Sequence, residues 1–119
     1  LMEAIVVVTD NQALVDSMRR LLTEHKVVQA SSAVDAGIAI QAHHAAWLLV
    51  DFKAAAEVLS GMRGVPSERS YGVAVILKET ADTPPASSRV DLLLSWPISV
   101  EKLASELKHG RRVKLKRAA

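Results

Sequence analysis

The 119-residue sequence predicts a single doubly wound α/β domain, a five-stranded parallel sheet with helices on both faces. Three observations predict it. Five short apolar runs alternate with stretches whose apolar residues recur at helical spacing. The runs lack polar alternation, as strands buried on both faces do. No hairpin signature joins any two of them, so the connections are right-handed crossovers.

The elements follow in order. Ile5-Val6-Val7-Val8 is the first strand, broken by Thr9-Asp10-Asn11, with Asn11 placed to cap a helix. Leu14, Val15, Met18, Leu21 and Leu22 give that helix its apolar face, with Asp16, Arg19 and Arg20 opposite. Val27-Val28-Gln29-Ala30 is a short second strand. Ser32-Ala33-Val34-Asp35 has the form of a capping box and opens a second helix running to about His43. Trp47-Leu48-Leu49-Val50 is the third strand, ending in Asp51, and Trp47 is expected in core or rim packing. A third helix spans Ala54 to Arg63 on Val58, Leu59 and Met62, closed by Gly64, Pro66 and Ser67. Val73 to Leu77 is the fourth strand. Pro84-Pro85 leaves room for only a shortened fourth helix after it. Leu92-Leu93-Leu94 is the fifth strand, followed by Trp96-Pro97. Ser99 caps the last helix, with Val100, Leu103 and Leu107 inward and Gly110 as its stop.

Charge divides the chain. Lys108, Arg111, Arg112, Lys114, Lys116 and Arg117 form a basic tail with no acid among them. The other nine cations face all thirteen acids, leaving the remainder near −4. Residues 1–109 are therefore expected to form the domain, and 110–119 a tail or a linker to a further domain. An acidic globule is a poor nucleic-acid surface, because phosphate binding needs a basic face on the fold. Leu1 before Met2 suggests a vector remnant. Cysteine is absent, which removes disulfide, thiolate-metal and cysteine-nucleophile chemistry and fits a reducing, cytoplasmic setting. No apolar run approaches the ~20 residues that span a bilayer.

Ligands of doubly wound sheets collect beyond the carboxyl ends of the strands. That rule selects Thr9, Asp10, Asp51, Lys78 and Trp96. Asp10 and Asp51 end neighbouring strands, and two converging carboxylates are a potential Mg²⁺ site. The alternative is that each caps the helix after it and stays solvated. His43 and His44 are adjacent, point about 100° apart on a helix and make poor joint ligands. There is no Gly-rich phosphate loop and no G-x-S-x-G elbow.

Val6-Val7-Val8-Thr9-Asp10-Asn11, Leu48-Leu49-Val50-Asp51 and Ser95-Trp96-Pro97-Ile98, in that order and spacing, resemble the response-regulator receiver family over about residues 4–108. The resemblance implies a flavodoxin-like (βα)5 topology and a role in two-component signalling. It places Asp51 on the phosphoacceptor and Asp10 on the second of two metal-binding acids. Thr9 falls on the first acid, Lys78 on the Thr/Ser position and Trp96 on the lysine. Pro97 matches the proline that follows.

The departures imply an atypical receiver acting as a regulatory or protein-interaction module, non-catalytic, with phosphorylation impaired or absent. Trp96 cannot supply the positive charge that offsets charge on a transferred phosphoryl group. Thr9 removes a metal-binding carboxylate, so no cofactor is required and Mg²⁺ binds weakly at most. Phe52-Lys53-Ala54-Ala55-Ala56 lacks the family's proline- and glycine-bearing loop. Receivers commonly signal through the fourth helix, fifth strand and last helix, a face that must differ here. Lys78 either pairs with Asp51 in place of the lost lysine or extends into solvent. Trp96 either covers the mouth of the cleft or packs beside Pro97. The implied partners are an adjoining output domain, a histidine kinase or a second copy in a homodimer. Two other readings stand beside this one: a competent receiver phosphorylated on Asp51 with Mg²⁺, and a flavodoxin-like binder of a small ligand.

Overall fold

The computed structural model of the protein describes residues 3–61, 71–77, 90–95 and 99–118. Its elements are β1 (Glu3–Val8), α1 (Gln12–Leu21), β2 (His25–Ala30), α2 (Ala33–His43), β3 (Trp47–Asp51), α3 (Phe52–Gly61), β4 (Gly72–Leu77), β5 (Leu92–Ser95) and α4 (Val100–Ala118). The five strands form one sheet in the order β2-β1-β3-β4-β5, and every pair is parallel. The doubly wound sheet expected from the apolar runs is therefore present. The expected shortened fourth helix lies in residues 78–89, outside the described residues.

Burial explains why the central runs carry no polar residue. Val6, Leu48, Val50, Val73 and Val75 point to one face, where they pack with Ala36, Ile40, Val58 and Leu59 of α2 and α3. Ile5, Val7, Leu49, Ala74 and Ile76 point to the other, against Leu14, Val15 and Met18 of α1 and Leu103 and Leu107 of α4. The sheet thus separates two cores, each closed by a pair of helices. β2, at the sheet edge, is the strand that alternates in burial, and His25, Lys26 and Gln29 interrupt its apolar residues.

The caps follow the sequence closely. The Asn11 side chain accepts from the Leu14 N–H at 3.2 Å. Ser32 Oγ accepts from the Asp35 N–H at 3.1 Å, and Ser99 Oγ from the Lys102 N–H at 3.1 Å. The return half of the α2 box is displaced by one residue: Asp35 accepts from the N–H and hydroxyl of Ser31 rather than from Ser32. His44 ends α2 in the left-handed region, φ 49°, with its N–H on the Ile40 carbonyl. That role is conformational and agrees with its reading as a helix end.

Three expectations need correction. Leu21 lies on the outer side of α1 and is exposed, because Leu14, Val15, Met18 and Leu22 already fill the face toward the sheet. Gly110 does not stop the last helix, which runs on through Ala118. A glycine within a helix costs only about 1 kcal/mol relative to alanine, and its Arg, Lys and Leu neighbours are good helix formers. The third helix begins at Phe52 rather than Ala54, directly after the last residue of β3.

Candidate functional site

The early start of α3 shapes the site. With no proline or glycine after Asp51, the chain turns from strand to helix at once, and Asp51 becomes its cap. Asp51 Oδ1 accepts from the Lys53 backbone N–H at 3.0 Å, the bond by which an acidic cap satisfies a helix's free donors. Its carboxylate is buried, 5 % exposed, at the carboxyl end of the central strand.

Thr9, at the end of the adjacent β1, completes the arrangement. Its hydroxyl accepts from the Asn11 backbone N–H at 3.1 Å and donates to Asp51 Oδ2 at 3.0 Å. A hydroxyl carries one proton, so the bond from Asn11 leaves that proton for the carboxylate. Gln29, on β2, donates from Nε2 to the Thr9 carbonyl at 3.3 Å and ties the end of β1 to its other neighbour. Both oxygens of Asp51 thus accept hydrogen bonds from structural groups.

Asp10 behaves differently. Its side chain is mostly exposed, and Oδ2 lies 3.4 Å from Lys53 Nζ, itself exposed. Such a pair contributes at most about 1 kcal/mol. Its importance is positional, because Lys53 touches one acid through its backbone and the other through its ammonium. Asp10, Asp51 and Thr9 do line one cleft of about 530 Å³, together with Gln29, Ser31, Asp35, Lys53 and Glu57. Among the described residues no three His, Cys, Asp or Glu side chains group so as to hold a metal ion. Lys78, Trp96 and Pro97, the remaining expected pocket residues, lie outside the described residues.

Sequence reasoning placed Thr9, Asp10 and Asp51 at this end of the sheet. It left out Lys53, Gln29 and the rim formed by Ser31, Asp35 and Glu57. The signal for Lys53 was present in the missing loop after Asp51, since an uninterrupted Phe-Lys-Ala-Ala-Ala run can begin a helix immediately. Thr9→Val, which keeps shape but removes the donor, is expected to lower stability by about 1–3 kcal/mol, with Thr9→Ser costing less. Urea unfolding of the two variants checks this, and equal losses would contradict a hydroxyl role.

By sequence, no family model matches the chain and no curated protein is similar to it. By structure the likeness is broad. A CheY-like response regulator receiver domain from Methylobacillus flagellatus superposes with a TM-score of 0.73 at 19% identity, over 92% of this chain and 99% of that one. A CheY-like receiver domain protein from Methanospirillum hungatei gives 0.71 at 18%, over 98% and 99%. NtrX from Brucella abortus gives 0.74 at 20%, over 99% of this chain but 28% of that longer one. The chain has the response-regulator receiver fold, with its five-stranded parallel sheet and flavodoxin-like topology. At these identities the likeness carries the fold, and the chemistry must be read from the residues themselves.

Proposed function

We propose that the chain is an atypical receiver domain of two-component-type signal transduction, a non-catalytic regulatory and protein-interaction module in which phosphorylation of Asp51 is impaired or absent. One observation carries the reading: the Thr9 hydroxyl, standing where the resemblance puts an acid, donates to the buried Asp51. A receiver-type phosphoacceptor needs an unencumbered carboxylate beside a divalent cation, which neutralises charge between it and the incoming phosphoryl group. Here one Asp51 oxygen accepts from Thr9, the other caps α3, and Asp10 faces an ammonium.

This donor set does not fit a receiver-type Mg²⁺ site. Mg²⁺ demands near-octahedral oxygen ligation and binds through available carboxylates. Thr9 offers a neutral oxygen, Asp51 is engaged in the fold, and Lys53 contributes repulsion. Signalling would then pass by protein contact, to an adjoining output domain or a kinase-type partner. In support, the receiver fold occupies only 28% of the longer NtrX chain. No helix among the described residues is long and apolar enough to cross a membrane.

Beryllofluoride, which mimics a phosphoryl group on aspartate in the presence of Mg²⁺, tests the proposal. Titrated into the ¹⁵N-labelled chain, it is expected to leave the amides of Asp10, Asp51 and Lys53 unshifted. A saturable, Mg²⁺-dependent shift that Asp51→Asn abolishes would favour a competent phosphoacceptor instead.

A further inference from the structure

A second surface, on the seam between α2 and α3, goes beyond this reading and does not depend on whether Asp51 accepts phosphate. α2 is apolar on both sides. Ala36 and Ile40 enter the core, yet Val34 and Ile38 stand outward, 75% and 63% exposed. These two lie one turn apart and so share a face. A globular helix ordinarily turns polar residues outward, and one that is apolar all round is usually covered.

The surroundings give this stripe a shape. At Gly37, between Val34 and Ile38, an added Cβ would meet nothing within 4 Å, which leaves a notch in the helix surface. Beside it runs a groove of about 310 Å³ with Ile40, Leu48 and Tyr71 among its walls, reaching Gly61 at the end of α3. Gly61 sits so close to α2 that a Cβ there would come within 2.5 Å of the Ala33 Cβ. The two helices therefore meet at Ala33 and Gly61.

Charge narrows the occupant. His43 apart, the charged residues of α2 and α3 are Asp35, Lys53 and Glu57. Lys53 is in contact with Asp10, leaving two carboxylates uncompensated along the seam. Asp35 is exposed beside Val34 and one turn before Ile38. Glu57 is exposed one turn before Gly61. An apolar stripe with a notch, flanked by acids, complements a helix bearing aliphatic residues at three- and four-residue spacing with lysine or arginine beside them. An acidic helix would meet like charge.

We propose that the α2–α3 seam docks a cationic amphipathic helix of a partner protein, with Val34, Gly37 and Ile38 taking its aliphatic side chains and Asp35 and Glu57 its cations. The probe is a synthetic amphipathic leucine/lysine helix, titrated into the ¹⁵N-labelled chain beside a leucine/glutamate counterpart. The leucine/lysine peptide is expected to shift Val34, Gly37, Ile38 and Gly61 saturably, and the counterpart to leave them unmoved. Val34→Ser with Ile38→Ser is expected to weaken binding about tenfold or more, the loss that truncating central anchors produces. Because both residues are exposed, the double variant should melt as the parent does. Glu57→Lys should weaken binding less and flatten its salt dependence. Equal binding of the two peptides, shifts centred elsewhere, or unchanged affinity in the serine variant would overturn the proposal. So would concentration-dependent self-association of the chain alone that the serine variant abolishes, since the occupant would then be a second copy. The beryllofluoride titration reads the Asp51 cleft alone, so either proposal can fail without the other.

Discussion

Gly72→Ala is expected to lower stability by about 1–3 kcal/mol, a large effect for one methyl group. Gly72 opens β4 directly opposite Trp47 of β3. A Cβ on Gly72 would approach Trp47 Cζ3 to 2.5 Å and its Cε3 and Cη2 to 2.8 Å. The indole cannot retreat, since Trp47 is 2 % exposed and packs in the core beneath α1 and α4. The backbone cannot easily shift either, because the Gly72 N–H bonds the Ala46 carbonyl at 2.9 Å. Trp47→Ala, which empties the same space, is expected to cost about 3–5 kcal/mol. A cycle of Gly72→Ala with Trp47→Leu separates clash from general damage. The double variant should lose less than the two singles together, with a coupling of about 0.5–3 kcal/mol in urea unfolding. Strict additivity would show that the glycine is not there to admit the ring.

That pairing also marks how far the sequence was legible. Trp47 reads as core from its run, but nothing in the local pattern assigns it a glycine twenty-five residues on. The strands were readable because parallel strands buried on both faces need unbroken apolar residues. Leu21 was misplaced because five apolar residues at helical spacing do not reveal which four the sheet can accommodate. Gly110 misled because a single glycine weakens a helix without necessarily ending it.

The site divides along the same line. Strand ends located Thr9, Asp10 and Asp51, since the topology brings the ends of β1 and β3 together. The partners of those residues depend on side-chain direction, which sequence does not supply. Thr9 read as a lost acid, whereas in the fold it is a hydrogen-bond donor to the residue that acid would have assisted. Lys53 was visible only as part of a shortened loop. Its significance follows from α3 starting where β3 stops, which delivers its amide to Asp51 and its ammonium to Asp10.

Thr9→Asp should reverse the character of the cleft. The substitution exchanges a donor for a second acid against a buried carboxylate, so in metal-free solution it removes a hydrogen bond and adds like-charge repulsion. The expected loss is about 1–3 kcal/mol or more in chelator. Mg²⁺ should recover much of it, because a cation that binds only the folded state stabilises that state by mass action. The parent chain should unfold at the same urea concentration with Mg²⁺ and with chelator.

The most direct measurement is the intact mass of the chain after incubation with Mg²⁺ and acetyl phosphate, with Asp51→Asn as control. A carboxylate held by Thr9 and by the α3 amide predicts no added phosphoryl group on the parent, and some on Thr9→Asp. A phosphoryl group accumulating on Asp51 of the parent, absent in Asp51→Asn, would contradict it.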